Sequence, residues 1–355
     1  MTSAPSRRPA WPHPRRFVID SPDRPGSALA YWTTGPDAGE LRAEPLPPRG
    51  DDDVLVRTLA SGVSRGTELL VHRHQVPPKI APLMRAPYQV GDLPGPVKYG
   101  YLNVGVVEAG PAELVGRRVF CLHPHQDRYV VPATAVVPVP DGVPTQRAVL
   151  AGTVETAVNA MWDAAPRIGD RVAVVGAGMV GLAVALLLRR HPLQRLEVVE
   201  TSASRRDQVR ALGLTAVTPE QAQGDCDLAV HTSASSAGLA TCLDLLGVEG
   251  EVIEMSWYGT RTPEVPLGGA FHAKRLSVRA SQVSRVSPAR SARRGFADRL
   301  AVALAALGDD TFDELLSPAV DFADLPATMV ELADGRRDAV CQIVTYPAPS
   351  PDQQE

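Results

Sequence analysis

The rhythm of hydrophobic positions changes near the middle of the chain. Between Leu55 and Val139, short β-branched runs are broken by Gly and Pro. They predict strands at Val54–Leu59, Val104–Glu108, Arg118–Cys121, Tyr129–Val131 and Val136–Val139, a compact and mostly β unit. Within it, Gln75–Pro96 keeps neither the strand period nor the helix period and is expected to be a loop shaping a substrate pocket. From Gln146 to Asp163 apolar residues return at helical spacing. Strands and helices then alternate: strand Arg171–Val175, helix Met179–Arg190, strand Leu196–Glu200, helix Arg205–Leu212, strand Leu228–His231, helix Ala237–Leu246 and strand Glu251–Met255. Such alternation predicts a parallel, doubly wound sheet. A helix at Phe296–Leu307, a short strand at Ala319–Phe322 and a helix at Leu325–Ala333 follow. A final strand, Ala339–Tyr346, is expected to rejoin the N-terminal β unit.

Composition narrows the function classes. The chain has 355 residues, 44% of them apolar and 21% charged, which is the balance of an ordinary globular protein large enough for two domains. A net charge of −4 argues against a general grip on nucleic acid or on an anionic membrane, and leaves a small-molecule ligand as the expectation. The four cysteines, Cys121, Cys226, Cys242 and Cys341, form no CxxC pair, which fits a reducing cytoplasm. Residues 1–16 carry two Arg-Arg pairs but no apolar stretch after them, so they read as a disordered extension rather than a signal. No apolar run is long enough to span a bilayer. The polar tail after Tyr346 is likewise expected to be disordered.

The strongest motif is Arg171-Val-Ala-Val-Val-Gly-Ala-Gly-Met-Val-Gly181, where a hydrophobic strand runs into GxGxxG and then a helix. Gly176 permits the tight turn, Gly178 lets the backbone approach a pyrophosphate, and Gly181 lets helix and strand pack closely. The helix start at Met179 and Val180 presents unpaired N–H groups to the anion. Glu200 closes the next strand about 20 residues beyond the last glycine, where a carboxylate accepts hydrogen bonds from the adenosine ribose and favours NAD. Arg205 and Arg206 lie just downstream, and an arginine there suits the 2′-phosphate of NADP.

Together with Ala60-Ser-Gly-Val-Ser-Arg-Gly-Thr-Glu68, Gly100-Tyr-Leu-Asn-Val-Gly-Val-Val107, Gly116-Arg-Arg-Val-Phe120, Tyr129-Val-Val-Pro-Ala133 and Glu155-Thr-Ala, this arrangement resembles the medium-chain dehydrogenase/reductase superfamily over roughly Leu41 to Tyr346. The resemblance implies an α/β fold: a GroES-like β-rich catalytic domain at 1–152, a Rossmann domain at 153–310, and a return to the catalytic domain at 311–355. It also implies homodimerisation through edge strands. Zinc-bearing members place a Cys, a His-Glu pair and a further Cys or His where this chain has Arg65, Tyr101 with Leu102, and Gly152. None of these is a usual zinc ligand, and the four-cysteine structural-zinc lobe is missing. His72, His74, His123 and His125 offer a conceivable replacement site, but histidines near Pro-rich segments are more often exposed, and no metal is expected there. The phrases Val63-Ser-Arg-Gly-Thr-Glu68, Pro96-Val-Lys-Tyr-Gly-Tyr101 and Phe120-Cys-Leu-His-Pro-His-Gln126 are similar to a zinc-lacking branch that includes bacteriochlorophyllide dehydrogenase-type enzymes.

Without zinc, a side chain must polarise the substrate oxygen. Lys98, Tyr99 and Tyr101 cluster where the resemblance puts the lost His ligand. A phenol flanked by an ammonium is expected to have a lowered pKa, so Tyr101 is the first acid/base candidate and Lys98 its electrostatic partner. Thr67 falls at the family's relay-hydroxyl position or else closes a turn. Glu68 is expected to pair with Arg65. Glu155 precedes Thr156, whose family counterpart lies beside the nicotinamide, and is read as a general base or a helix cap. His125 is a further acid/base candidate, and Ser256, with Trp257 and Tyr258, is expected to line the nicotinamide pocket. The leading expectation is a zinc-independent dehydrogenase or ketoreductase of a secondary alcohol in a mid-sized specialised metabolite. Enone reduction and dinucleotide binding without turnover are the alternatives.

Overall fold

The computed structural model describes residues 26–347; the expectation of disorder at 1–16 lies outside them, as does that at 347–355 except for Pro347. Three sheets organise the described residues. A four-stranded sheet has the order Ala38–Pro45, Ser27–Gly35, Val97–Lys98, Val90–Gly91. A larger sheet runs Leu316–Asp321, Cys341–Thr345, Asp53–Ser64, Asn103–Ala109, Arg118–Cys121, Val136–Pro138, with Arg128–Pro132 also pairing to Asp53–Ser64. The Asp53–Ser64 strand explains itself. Val54, Val56, Thr58 and Ala60 alternate inward, and from there to Ser64 every residue is buried as strands close over both faces. The final strand pairs antiparallel with it, Cys341 opposite Ser64 and Thr345 opposite Ala60, so the C-terminal segment does rejoin the first β unit.

The third sheet is fully parallel, in the order Thr215–Val217, Arg195–Val199, Arg171–Val175, Cys226–His231, Leu246–Glu254, Ser277–Ala280. Its order reverses beside Arg171–Val175, which leaves a crevice at the strands' carboxyl ends. The Met179–Leu188 helix is apolar nearly all round because the sheet covers one side and the Ala151–Ala164 helix the other. Its Leu182, Leu186 and Leu188 are essentially inaccessible, each contributing about 1.5–3 kcal/mol of transfer free energy. One core runs from Leu102 and Phe120 of the β unit through Val154 and Ala157 to Val172 and Val174 of the parallel sheet, so the Ala151–Ala164 helix couples the two units.

Several elements lack a sequence signal. The Ser27–Gly35 and Ala38–Pro45 hairpin is only half buried, and its second strand has no β-branched residue. The Arg65–His72 helix spans eight residues, too few for a period to register. Ser277–Ala280 is exposed along its length. Gln75–Pro96 is largely the expected loop, with a short Ala81–Met84 turn and the Val90–Gly91 strand inside it. No helix among the described residues is long and apolar enough to cross a membrane.

Candidate active and dinucleotide site

Each glycine of the turn answers to a different constraint. Gly176 has φ +109°, and a Cβ there would meet the Thr232 hydroxyl and the Ser233 backbone at about 3 Å. At Gly181 a Cβ would lie 2.0 Å from the Gly176 carbonyl oxygen, so glycine is obligatory for this helix–strand approach. At Gly178 a Cβ would meet nothing within 4 Å. The fold therefore does not need glycine there, and the space beside it is open. Gly178 caps the Met179–Leu188 helix without a side chain, leaving the first-turn N–H groups free to face an anion. Met179 and Val180 turn their side chains into the core, Met179 accepting a contact from the Thr153 hydroxyl at 3.4 Å, so only their backbones serve the turn. These residues fit a dinucleotide's pyrophosphate.

Glu200 follows the Arg195–Val199 strand. Its carboxylate accepts the Ala177 N–H at 2.9 Å and the Ser202 N–H at 2.8 Å, which ties the acid to the glycine turn. Arg205 does not join it. Its guanidinium donates to Asp338 and to the Ala339 carbonyl, at the entrance to the returning strand. Arg206 stays nearer, donating to the carbonyls of Glu200 and Thr201 at 2.9 and 2.7 Å.

Beyond the turn, the carboxyl ends of Cys226–His231 and Leu246–Glu254 carry a polar cluster in which the expected Ser256 and Tyr258 join His231, Ser233 and Glu254, which the motif reading missed. His231 is fully buried; its Nδ1 lies 2.8 Å from Glu254 and its Nε2 2.7 Å from the Ser233 hydroxyl. Burial works against the Glu254 charge, but His231 and the Ser256 N–H beside it hold the carboxyl below its usual range. Tyr258 donates to Glu254 at 3.1 Å, and the Ser256 hydroxyl accepts the Ala234 N–H at 3.0 Å. Gly238 makes room, since a Cβ there would collide with Ser233 Oγ and His231 Nε2. The available signal was two ionisable residues ending adjacent apolar strands. Trp257, next along, packs on the cluster of Val71, Val76, Val97 and Tyr99 in the β unit, against which Tyr101 also packs, so residues of both units meet there.

On that opposite wall Tyr101 is partly exposed, with Thr67 and Ser64 close enough for their hydroxyls to act on its phenol. The expected partnership with Lys98 is corrected. On the two-residue strand Val97–Lys98 the ammonium points the other way, to Glu44 at 2.6 Å and Gln126 at 2.8 Å. The phenol pKa is accordingly raised, not lowered: burial and then the Glu68 charge push it up to about 12. The expected Glu68–Arg65 pair is corrected as well. Arg65 reaches out to Asp338 at 2.9 Å, while Glu68, in the first turn of Arg65–His72, accepts the Ser64 N–H at 2.8 Å and lies 2.9 Å from His125 Nε2. His125, whose loop the sequence could not place, is 1% exposed; its Nδ1 meets the Ser61 hydroxyl at 2.7 Å, which in turn meets the Tyr346 hydroxyl at 2.9 Å. Ser61 and Tyr346 had no signal, being 285 positions apart.

The Glu155 carboxylate receives the Arg299 guanidinium at 2.9 Å, both side chains buried, and braces the Ala151–Ala164 helix against Phe296–Ala306; it is not the helix cap that was one of its two expected roles. Thr156 donates to the Gly152 carbonyl one turn back, at 2.9 Å.

Leu102 and Gly152, at two of the positions where the resemblance would put zinc ligands, do not fit that metal. Leu102 is fully buried, and a Cβ on Gly152 would sit 2.7 Å from its side chain, so the two pack against each other with no donor atom. Among the described residues no group of three or more His, Cys, Asp or Glu side chains could hold a metal ion. His72 and His123 are buried rather than exposed, His123 stacked on Tyr129 at 3.8 Å between ring centroids.

No family model matches the sequence, and no curated protein does. Solved structures do match. L-idonate 5-dehydrogenase from Escherichia coli superposes with a TM-score of 0.74 at 15% identity, covering 90% of this chain and 98% of that one. A short chain alcohol dehydrogenase from E. coli, complexed with NADH, gives 0.71 at 16% over 91% and 100%. The 2R,3R-butanediol dehydrogenase from Bacillus subtilis gives 0.70 at 17% over 90% and 100%. The chain thus has the fold of these enzymes, a GroES-like unit joined to a Rossmann unit.

Proposed function

We propose that this protein is a nicotinamide-dependent oxidoreductase acting, without zinc, on a secondary alcohol or its ketone. The observation that carries the reading is the open space at Gly178. Glycine is required by the fold at 176 and 181 but not at 178, where only an incoming ligand needs the backbone bare. Gly176, Gly178, Gly181 and the Met179–Val180 backbone would hold the pyrophosphate, and Glu200 the adenosine ribose, favouring NAD over NADP. The bound NADH of one structural neighbour supports the same assignment. Bound, the nicotinamide supplies or accepts a hydride.

The residues of the opposite wall handle the oxygen. Tyr101, kept neutral at physiological pH, donates a hydrogen bond to a carbonyl oxygen, with Thr67 and Ser64 orienting the phenol. Glu68 and His125 lie behind them as a buried acid/base pair. A neutral donor suits reduction, whether of a ketone or of a conjugated enone, and product analysis separates the two. The dehydrogenases among the neighbours support the alcohol–ketone couple. The experiment is a panel of secondary alcohols, ketones and enones with NAD(H), the metal-chelated protein and Tyr101→Phe. Turnover by the chelated protein that collapses in the variant supports the reading, and no turnover of any member opposes it.

A further inference from the structure

The chain Glu68, His125, Ser61, Tyr346 is continuous, with successive contacts of 2.9, 2.7 and 2.9 Å. Its members come from four separate places: the Arg65–His72 helix, the segment before Arg128–Pro132, the Asp53–Ser64 strand and the end of Cys341–Thr345. Ser61 is fully buried in the middle of a sheet, opposite Val344 on one side and Asn103 on the other, where an apolar side chain would pack without needing a partner. A buried hydroxyl left unpaired is costly, so a row of such groups persists only when each link is made. The two ends differ. Glu68 is 3% exposed and lies beside Tyr101, whereas Tyr346 is partly exposed, stacked on Phe322 at 4.4 Å, with the half-buried Asp127 close enough to act on its phenol.

We propose that Ser61 and Tyr346, with His125, are the route by which a proton moves between Glu68 in the cleft and solvent. The inference rests on the oxidoreductase reading for its purpose but not for its test. In one polarity Tyr346 donates to Ser61, Ser61 to His125 Nδ1, and the Nε2 proton to Glu68. A solvent proton taken up at the Tyr346 oxygen, as its own proton moves to Ser61, shifts each proton by one bond and delivers one to Glu68. No electron moves and no heavy-atom bond breaks. The chain is left in the opposite polarity, in which a proton released in the cleft travels outward and restores the first. Ser61 and Tyr346 are thus positioning residues that act through His125.

The test measures solvent exchange of the His125 ring N–H by ¹⁵N-histidine NMR in the whole protein, alongside kcat and its solvent deuterium effect on the best alcohol or ketone. Ser61→Ala and Tyr346→Phe cut the chain at its middle and its end. Each is expected to slow ring exchange about tenfold or more and to lower kcat in step, leaving the NADH dissociation constant unchanged. Exchange as fast as in the wild type in both variants overturns the route, whatever the activity. Slowed exchange in a protein that turns over no substrate upholds the route and rejects the oxidoreductase reading.

Discussion

The Glu200 carboxylate accepts the backbone N–H of Ala177 at 2.9 Å, so the acid that ends one strand holds the middle of the glycine turn that ends its neighbour. The same carboxylate is the group proposed to meet the adenosine ribose. Turn geometry and cofactor choice therefore share one side chain.

Replacing it with Gln keeps the shape and removes the charge. Hydrogen bonds to a charged acceptor contribute roughly 1.5–3 kcal/mol, so Glu200→Gln should weaken NADH binding about tenfold or more. NADPH binding should change less, because the carboxylate repels a 2′-phosphate. Titration of both cofactors checks this, and an unchanged NADH to NADPH ratio counts against the assignment.

Lys98 and Tyr101 separate two roles that adjacency in sequence suggested were one. Lys98→Met leaves the partly exposed Glu44 carboxylate with Trp32 as its remaining donor, and losing the charged hydrogen bond should cost about 1.5–3 kcal/mol. Tyr101→Phe should leave stability nearly unchanged and lower kcat by about 10²–10⁴-fold, the range for a lost acid/base group. Urea unfolding and steady-state kinetics on the two variants should give opposite patterns.

Arg299 is 1% exposed and donates to Glu155, Asn159 and the carbonyls of Arg285 and Val283, of which Glu155 alone carries a charge. Glu155→Gln strands that charge, and the expected loss is about 3–5 kcal/mol in unfolding free energy with NADH binding retained. A stable variant with an altered pH–rate profile would instead return Glu155 to the role of base.

Burial takes the His123 imidazole down to about 3, and lowers His72 in the same direction. Both are neutral in the fold and gain protons on unfolding. Their contribution is complete above the unfolded pKa near 6.5 and is lost as pH falls toward the folded value. Between pH 7 and pH 5 the His123 contribution should fall by about 2 kcal/mol. His123→Phe, which can keep a stacked ring on Tyr129, should show a shallower decline in urea unfolding; an equal slope contradicts the assignment.

The parallel sheet and its glycine turn were legible because they are local. A strand, three glycines and a helix follow one another without a break from Arg171 to Leu188, and the physics that places a phosphate there needs nothing from elsewhere in the chain. The opposite wall was legible as residue types but not as pairs. Tyr101, Glu68 and His125 were found, yet Lys98 was joined to Tyr101 when it turns to Glu44, and Glu68 to Arg65 when it turns to His125. Tyr101 lies past the end of the Val97–Lys98 strand and Glu68 one turn along a helix from Arg65, and no pattern along the chain reveals which distant segment closes over each. Glu155 was misread for the same reason, since its partner Arg299 sits 144 positions away on a helix whose docking angle the sequence does not state.

The central claim is that the glycine turn holds a nicotinamide dinucleotide, and Gly178 tests it most directly because a side chain there has free space in the folded chain. NADH fluorescence titrations of the wild type and Gly178→Val, with thermal unfolding of both, are the measurement. The account predicts saturable binding by the wild type and binding weakened at least about a hundredfold, some 2.7 kcal/mol, in a variant that unfolds at the same temperature. Equal binding by the two proteins, or none by the wild type, would contradict it.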